Sequence, residues 1–389
     1  MLDSLRALRG LHGFNSLPSS HRRIVFYAED RGSSWPHFEP ILRELTGPLG
    51  RQVSYVTSSL ADPVLEGGIA NISPFYIGSG ALRTYFFLTL KAGVMVMTMP
   101  DLQTLYIKRS KSHAVHYAYV FHALVSTHAV YRKDAFDHYD SLLCAGPHHV
   151  REIRAAEEQY GLQSKALYEH GYGRLDTLVG EFEAGTRSDD SGADGNGDKP
   201  LALLAPTWGE QAIFETCGHE VIRTLLDGGV RVMMRPHPMT LRHRGTVLEE
   251  LRTTFSGHPD FESEADPAST ESLHAADVII SDWSGAALEF ALAFSKPVVY
   301  IDVPQKVNNP GYQELGVEPV ERSMRELLGR VLSPDRLQEL PKVIRELTSN
   351  APSATERIAD AREQMVFNLG GSGRVGAAII AELADSCLS

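Results

Sequence analysis

The stretch VIISDWSGAALEFALAFSKPVVYID, residues 278–302, decides how the chain is read. An apolar, β-branched run stops at a Ser-Asp-Trp-Ser-Gly turn, an apolar helical run follows, and a second β-rich run closes the unit. Short runs that are apolar almost throughout suit parallel strands buried on both faces. Strand, helix and strand in that order predict a βαβ crossover.

The same rhythm extends outward in both directions. IVFYA (24–28), QVSYVT (52–57), VMVMT (94–98), YAYVF (117–121) and SLLCA (141–145) recur in the first half. LALLA (201–205), VRVMM (230–234), DVIIS (277–281) and PVVYI (297–301) recur in the second. The 389 residues exceed one ordinary core. The segment EFEAGTRSDDSGADGNGDKP (181–200) is too polar to bury apolar surface and reads as a linker. Its DGNGD lacks the glycine and closing acid of a calcium loop. The expectation is an α/β chain of two Rossmann-like, doubly wound parallel-sheet domains facing a cleft. The N-terminal domain spans 1–180, the linker 181–200 and the C-terminal domain 201–365, and a helix at 366–389 packs back on the first domain.

A formal charge of −12 disfavours nucleic acid as the partner. Cys144, Cys217 and Cys387 show no pairing or metal spacing, which fits a reducing cytoplasm. The first residues lack the apolar core of a signal peptide. Leu2, Leu5, Leu8 and Leu11, with Arg6 and Arg9, form a short amphipathic pattern that suits either packing on the domain or a membrane surface.

Ligands of open parallel sheets bind beyond the carboxyl ends of the strands. The segments there are EDRGSSW (29–35), His122, GPHH (146–149), PTWGE (206–210), RPHP (235–238) and SDWSG (281–285). If Ser284 caps the following helix, its first amides form a phosphate site that needs no lysine, and Gly285 admits a close ligand. Asp282 lies in the same turn. Glu289, a lone carboxylate in an apolar helix, is expected to meet a partner or a ribose diol. Thr207 offers a hydroxyl and Trp208 a flat surface for a base. His237 is held between two prolines, and Arg235 can add charge toward a diphosphate. In GYGRLD (171–176), Arg174 can reach an anion while Asp176 is expected to cap the next helix. His122, at the end of a strand, suits a general base. Seven histidines between 113 and 149 lack tight ligand spacing, so no metal site is expected.

Taken in order, FH at 121–122, GYGRLD, APTWGE, RPHP, ADVIISDWSGAALEF and the tail GGSGR resemble the CDP-glycerol glycerophosphotransferase family, which builds teichoic-acid polymers. The likeness is strong from about 165 to 302 and weak over the first 110 residues. It implies a GT-B-like fold, a CDP-activated polyol as donor and no required cofactor. It also implies a hydroxyl acceptor on a lipid or glycan, and action in the cytoplasm, peripherally on the inner face of the membrane. His122 would then be the base on the acceptor, and His237 would bind or protonate the diphosphate beside Ser284 and Gly285. There are three departures: FHA for Trp-His-Gly loosens the acceptor side, and Gly173 for proline and Gly285 for a second serine leave room for a donor carrying ribitol, another polyol or a sugar. A GT-B nucleotide-sugar glycosyltransferase or a UDP-N-acetylglucosamine 2-epimerase-like enzyme is the alternative, and a non-catalytic sensor of an activated precursor is a third.

Overall fold

The computed structural model describes residues 2–29, 34–188, 199–264, 266, 269–349 and 351–387. The chain forms two compact units: Met1–Thr177 with Asn309–Val317 and Met365–Ser389, and Leu178–Asn308 with Glu318–Gln364. Two boundaries differ from the sequence expectation. Residues 309–317 belong to the first unit rather than the second. Residues 181–188, expected as linker, continue a helix, Gly173–Ser188; the calcium-like DGNGD lies outside the described residues.

The first unit holds seven parallel strands: β1 Ile24–Ala28, β2 Val53–Thr57, β3 Ile72–Tyr76, β4 Val94–Met97, β5 His116–Val120, β6 Ser141–Cys144 and β7 Ala166–Glu169. Their order is β3-β2-β1-β4-β5-β6-β7, with Ile24 in register with Val53 on one side and Val94 on the other. The second unit holds β8 Leu201–Leu204, β9 Arg231–Met234, β10 Phe261–Ser263, β11 Val278–Ser281, β12 Val298–Ile301 and β13 Gly329–Leu332, ordered β10-β9-β8-β11-β12-β13. Each sheet reverses direction beside its first strand, between β1 and β4 and between β8 and β11. A crevice at such a reversal is where open sheets take ligands.

Five helices of the first unit matter below: α1 Leu2–Ser16, α2 Trp35–Thr46, α3 Ala81–Thr89, α4 Pro147–Tyr160 and α5 Gly173–Ser188. The first core packs Phe38, Ile41, Leu42 and Leu45 of α2 on β1, together with Ala377, Ile380 and Ala384 of the C-terminal helix Ser372–Ser386. The glycine-rich start of that helix permits the contact. A Cβ on Gly373 would meet the Pro40 carbonyl oxygen at 2.7 Å, and one on Gly376 would meet His170 Nε2 at 2.7 Å.

Helix α1 buries Ala7, Leu11 and Phe14, while Leu2, Leu5 and Leu8 stay exposed. The reading of this segment as a helix packed on its domain holds for that buried face. Among the described residues no helix is long and apolar enough to cross a membrane.

Candidate active site

In the second unit, the loops after β8, β9, β11 and β12 gather at the carboxyl edge of adjacent strands. Asp282 organises two of them. Its carboxylate is buried and accepts hydrogen bonds from the backbone amides of Thr207 at 2.7 Å, Ile213 at 3.2 Å and Trp283 at 2.7 Å. Burial raises its pKa, and the three amides pull the other way. Asp282 thus holds PTWGE against SDWSG and has spent its acceptors on backbone. It is a positioning residue, not the ligand contact that the sequence suggested.

Ser284 caps the helix Gly285–Phe294 as expected, its Oγ accepting from the Ala286 amide at 3.3 Å. Gly285 is the first helical residue, half-exposed at a positive helix end. Glu289 is half-buried, which weakens the desolvation argument for a ribose partner.

His237 caps the short helix Pro238–His243, with Nδ1 accepting from the Met239 amide at 3.0 Å. That bond leaves the proton of the neutral ring on Nε2, a donor available to an anion. Burial pushes the His237 pKa down to about 4, and the Lys306 charge adds to the effect. The Trp208 ring lies 6.4 Å from that of His237, tilted by 32°. Thr207 is buried and its amide is held by Asp282.

Arg235 is a second correction. Its Nη1 donates to the Glu264 carboxylate, to the Ser269 carbonyl at 2.8 Å and to Ser272 Oγ at 3.0 Å. The pair is nearly buried, with side chains 10% and 8% exposed. The guanidinium therefore fastens β9 to β10 and the following turn instead of facing a diphosphate.

The sequence reading missed Lys306, whose Nζ lies 3.3 Å from the centroid of the Trp208 ring. Inspecting the segment after β12, DVPQK, as the other post-strand loops were inspected, would have found it.

In the first unit, His122 lies two residues beyond β5. Its Nδ1 is 3.0 Å from the Tyr119 hydroxyl, and its carbonyl accepts from the Tyr172 hydroxyl at 3.0 Å. Tyr119 is buried and also hydrogen-bonds Tyr131; burial raises its pKa well above the ordinary value, and that bond adds to the rise. His37 of α2, likewise missed, lies with its ring 6.1 Å from His122 and 5.5 Å from Tyr172. Burial lowers its pKa well below the ordinary value, and the charges of His122 and Arg174 act in the same direction. Arg174, in the first turn of α5, thus joins His122 and Tyr172 around one buried imidazole. The FH and GYGRLD motifs meet in space.

The other histidines have structural partners or no ligand geometry. His149, stacked on Phe121, accepts from the Ala145 amide at 3.2 Å and contacts the Val125 carbonyl at 3.0 Å through Nε2. Among the described residues no group of three His, Cys, Asp or Glu side chains could hold a metal ion.

The family model described as CDP-Glycerol:Poly(glycerophosphate) glycerophosphotransferase matches residues 79–367, well over half of the chain. No curated protein matches the chain in sequence. Among solved structures, the wall teichoic acid polymerase TagF superposes with a TM-score of 0.59 at 15% identity, covering 100% of this chain and 98% of that one. A histidine-to-asparagine variant of TagF soaked with CDPG gives 0.57 at 14% identity, covering 99% and 95%. The Methanocaldococcus jannaschii UDP-GlcNAc 2-epimerase in complex with UDP-GlcNAc and UDP gives 0.53 at 14%, covering 93% and 99%. At these identities the structures speak for the fold; the family match speaks for the chemistry. The chain belongs to the CDP-glycerol:poly(glycerophosphate) glycerophosphotransferase family, and it is a transferase.

Proposed function

We propose that the enzyme moves glycerol phosphate from CDP-glycerol to a hydroxyl on a lipid- or glycan-linked acceptor in cell-envelope polymer synthesis. The observation that carries this reading is His237. Its Nδ1 is occupied by the Met239 amide, so a neutral ring offers Nε2–H to a phosphate oxygen. That donor stands in the same set of strand-end loops as the Ser284-capped helix end and the Trp208 indole. A helix amide terminus and an N–H donor suit the charge of a diphosphate, and an indole suits a base.

His122 serves as the base on the acceptor. A ring that donates Nδ1–H to the Tyr119 hydroxyl, 3.0 Å away, carries its basic lone pair on Nε2. In the transfer, Nε2 takes the acceptor proton and the acceptor oxygen forms a bond to the β-phosphorus. The bond from that phosphorus to the bridging oxygen breaks, and CMP departs with the electron pair. The protein's own donors balance the phosphate charge, so the reading requires no metal ion or cofactor.

The acceptor brings the enzyme to the cytoplasmic face of a membrane. The exposed Leu2, Leu5 and Leu8 of α1, beside Arg6 and Arg9, support peripheral attachment to an anionic lipid surface. The deciding experiment offers CDP-glycerol, CDP-ribitol and UDP-sugars to the purified protein and identifies the released nucleotide. CMP from CDP-glycerol is expected, with EDTA leaving the rate unchanged. Release of UDP alone would overturn the reading in favour of the epimerase or glycosyltransferase class.

A further inference from the structure

Lys306 occupies an unusual position for a lysine. It is half-buried in the loop after β12, and its ammonium rests on the face of Trp208. Among the described residues no carboxylate lies within ion-pair distance of it. Of the basic side chains in the loops after β8, β9, β11 and β12, Arg235 is committed to Glu264, which leaves Lys306 the one without an anionic partner among the described residues. The anion with an electrostatic hold on it is Asp282, whose carboxylate is already engaged by three amides. Burial pushes the Lys306 pKa down to about 8, which still leaves it charged at neutral pH.

A cation on an indole recovers less than the hydration that a half-buried ammonium gives up. The surroundings make the imbalance larger. His237 presents an N–H, and the helix Gly285–Phe294 presents its positive end in the same set of loops. Positive groups therefore gather around Trp208 with no carboxylate in ion-pair distance of Lys306 among the described residues, an arrangement suited to a multiply charged anion. The indole face under Lys306 is also a flat aromatic surface on which a base can stack. Lysine and base cannot occupy one face together.

We propose that Lys306 is a diphosphate-binding residue of the donor site. It exchanges its indole contact for the phosphates when a nucleotide binds, and the released face of Trp208 takes the pyrimidine. The proposal rests on reading this site as a CDP-donor pocket. It adds both the cation that holds the phosphates and a link between phosphate binding and base binding. A nucleoside without phosphates has nothing to draw the lysine away, so the pocket favours the diphosphate by more than one ion pair alone.

Calorimetric titration of CDP and of cytidine into the full-length protein tests this. Lys306→Met should weaken CDP binding by about 10- to 100-fold, the range of a charge-assisted hydrogen bond, while cytidine binding stays the same or tightens. Lys306→Arg should recover most of the loss. Inorganic pyrophosphate, which has no base to stack, should change tryptophan emission in the wild type but not in Lys306→Met or Trp208→Phe. Equal CDP affinity in wild type and Lys306→Met overturns the role of Lys306 and leaves the donor reading standing. Wild-type protein that does not bind CDP overturns the donor reading itself. Should Lys306→Met lose CDP and cytidine binding equally, and Lys306→Gln do the same, the lysine is structural and the proposal fails. An unchanged wild-type emission with bound pyrophosphate overturns the exchange.

Discussion

The carboxylate of Asp176 caps a helix that begins with Ser372, 196 residues further along the chain. One oxygen accepts from the Gly370 amide at 2.7 Å; the other accepts from the Ser372 amide at 2.9 Å and from Ser372 Oγ at 2.5 Å. The C-terminal helix has no side-chain cap of its own, so a residue of GYGRLD supplies it. Asp176→Ala should therefore lower stability by about 1–3 kcal/mol, the range for a lost cap and unpaired amides. Thermal unfolding measures the loss, and faster amide exchange in residues 370–375 locates it. Unchanged exchange there would show that the cap is redundant.

His122→Asn should lower turnover by about 10²–10⁴-fold, the usual contribution of a positioned base, with CDP affinity unaltered. Tyr119→Phe removes the partner of Nδ1 and should cost less, moving the acid limb of the pH–rate profile. Steady-state rates paired with CDP titrations separate the two effects. A His122→Asn enzyme of full activity would remove the base from the mechanism.

Arg235→Met leaves Glu264 nearly buried without its cation, a change that destabilises by about 3–5 kcal/mol in comparable pairs. The second unit should melt earlier, and protein that remains folded should bind CDP as before. The opposite pattern, intact melting with weakened CDP, would restore the phosphate role that the sequence suggested.

Burial pushes the pKa values of His148, His170 and His237 down to about 4, from 6.5 in the open chain, with His37 and His149 also well below the ordinary value. Between those limits the unfolded chain binds protons that the folded one refuses, so stability falls as pH drops from 6.5 toward 4. Above 6.5 these groups are neutral in both states and impose no slope. Each of the three contributes on the order of 3 kcal/mol across the window. Melting temperatures recorded from neutral pH downward should fall before the carboxylates titrate; a flat profile to pH ~5 would contradict the burial.

Replacing Leu2, Leu5 and Leu8 together by serine should abolish sedimentation with anionic vesicles without altering CDP binding, because all three side chains are exposed. Loss of solubility or a lowered melting point would instead assign that face to packing.

The sequence exposed the interior of each sheet and concealed its borders. All nine strands recognised from apolar runs are interior, and the four overlooked (β3, β7, β10 and β13) are the sheet edges. An edge strand is covered less completely and has no need to be apolar throughout: Ile72–Tyr76 is only half-buried and carries Pro74, and Ala166–Glu169 exposes both ends. The strand-end placement of the candidate residues was legible for a different reason. Post-strand loops collect chemistry on one edge, so His122, Trp208, His237 and Ser284 could be picked out in advance. The misreadings concern charges whose partners are remote in sequence. Arg235 finds Glu264 only because β10 lies beside β9, and Asp282 finds Thr207 only because β11 lies beside β8. His37, one helical position in a loop-to-helix segment, carried no pattern that marked it.

The C-terminal helix fills the groove beside α2, against Pro40 and His170, and so belongs to the unit that begins the chain. During synthesis the ribosome must therefore pass residue 386 before that first core can close. Until residues 372–386 emerge, Phe38, Ile41 and Leu45 lack part of their covering, and the nascent protein depends on the second unit folding while the first is still waiting. A chain stalled or cut before residue 365 should accordingly expose apolar surface to chaperones and proteases, which makes completion of the tail a checkpoint on the release of active enzyme.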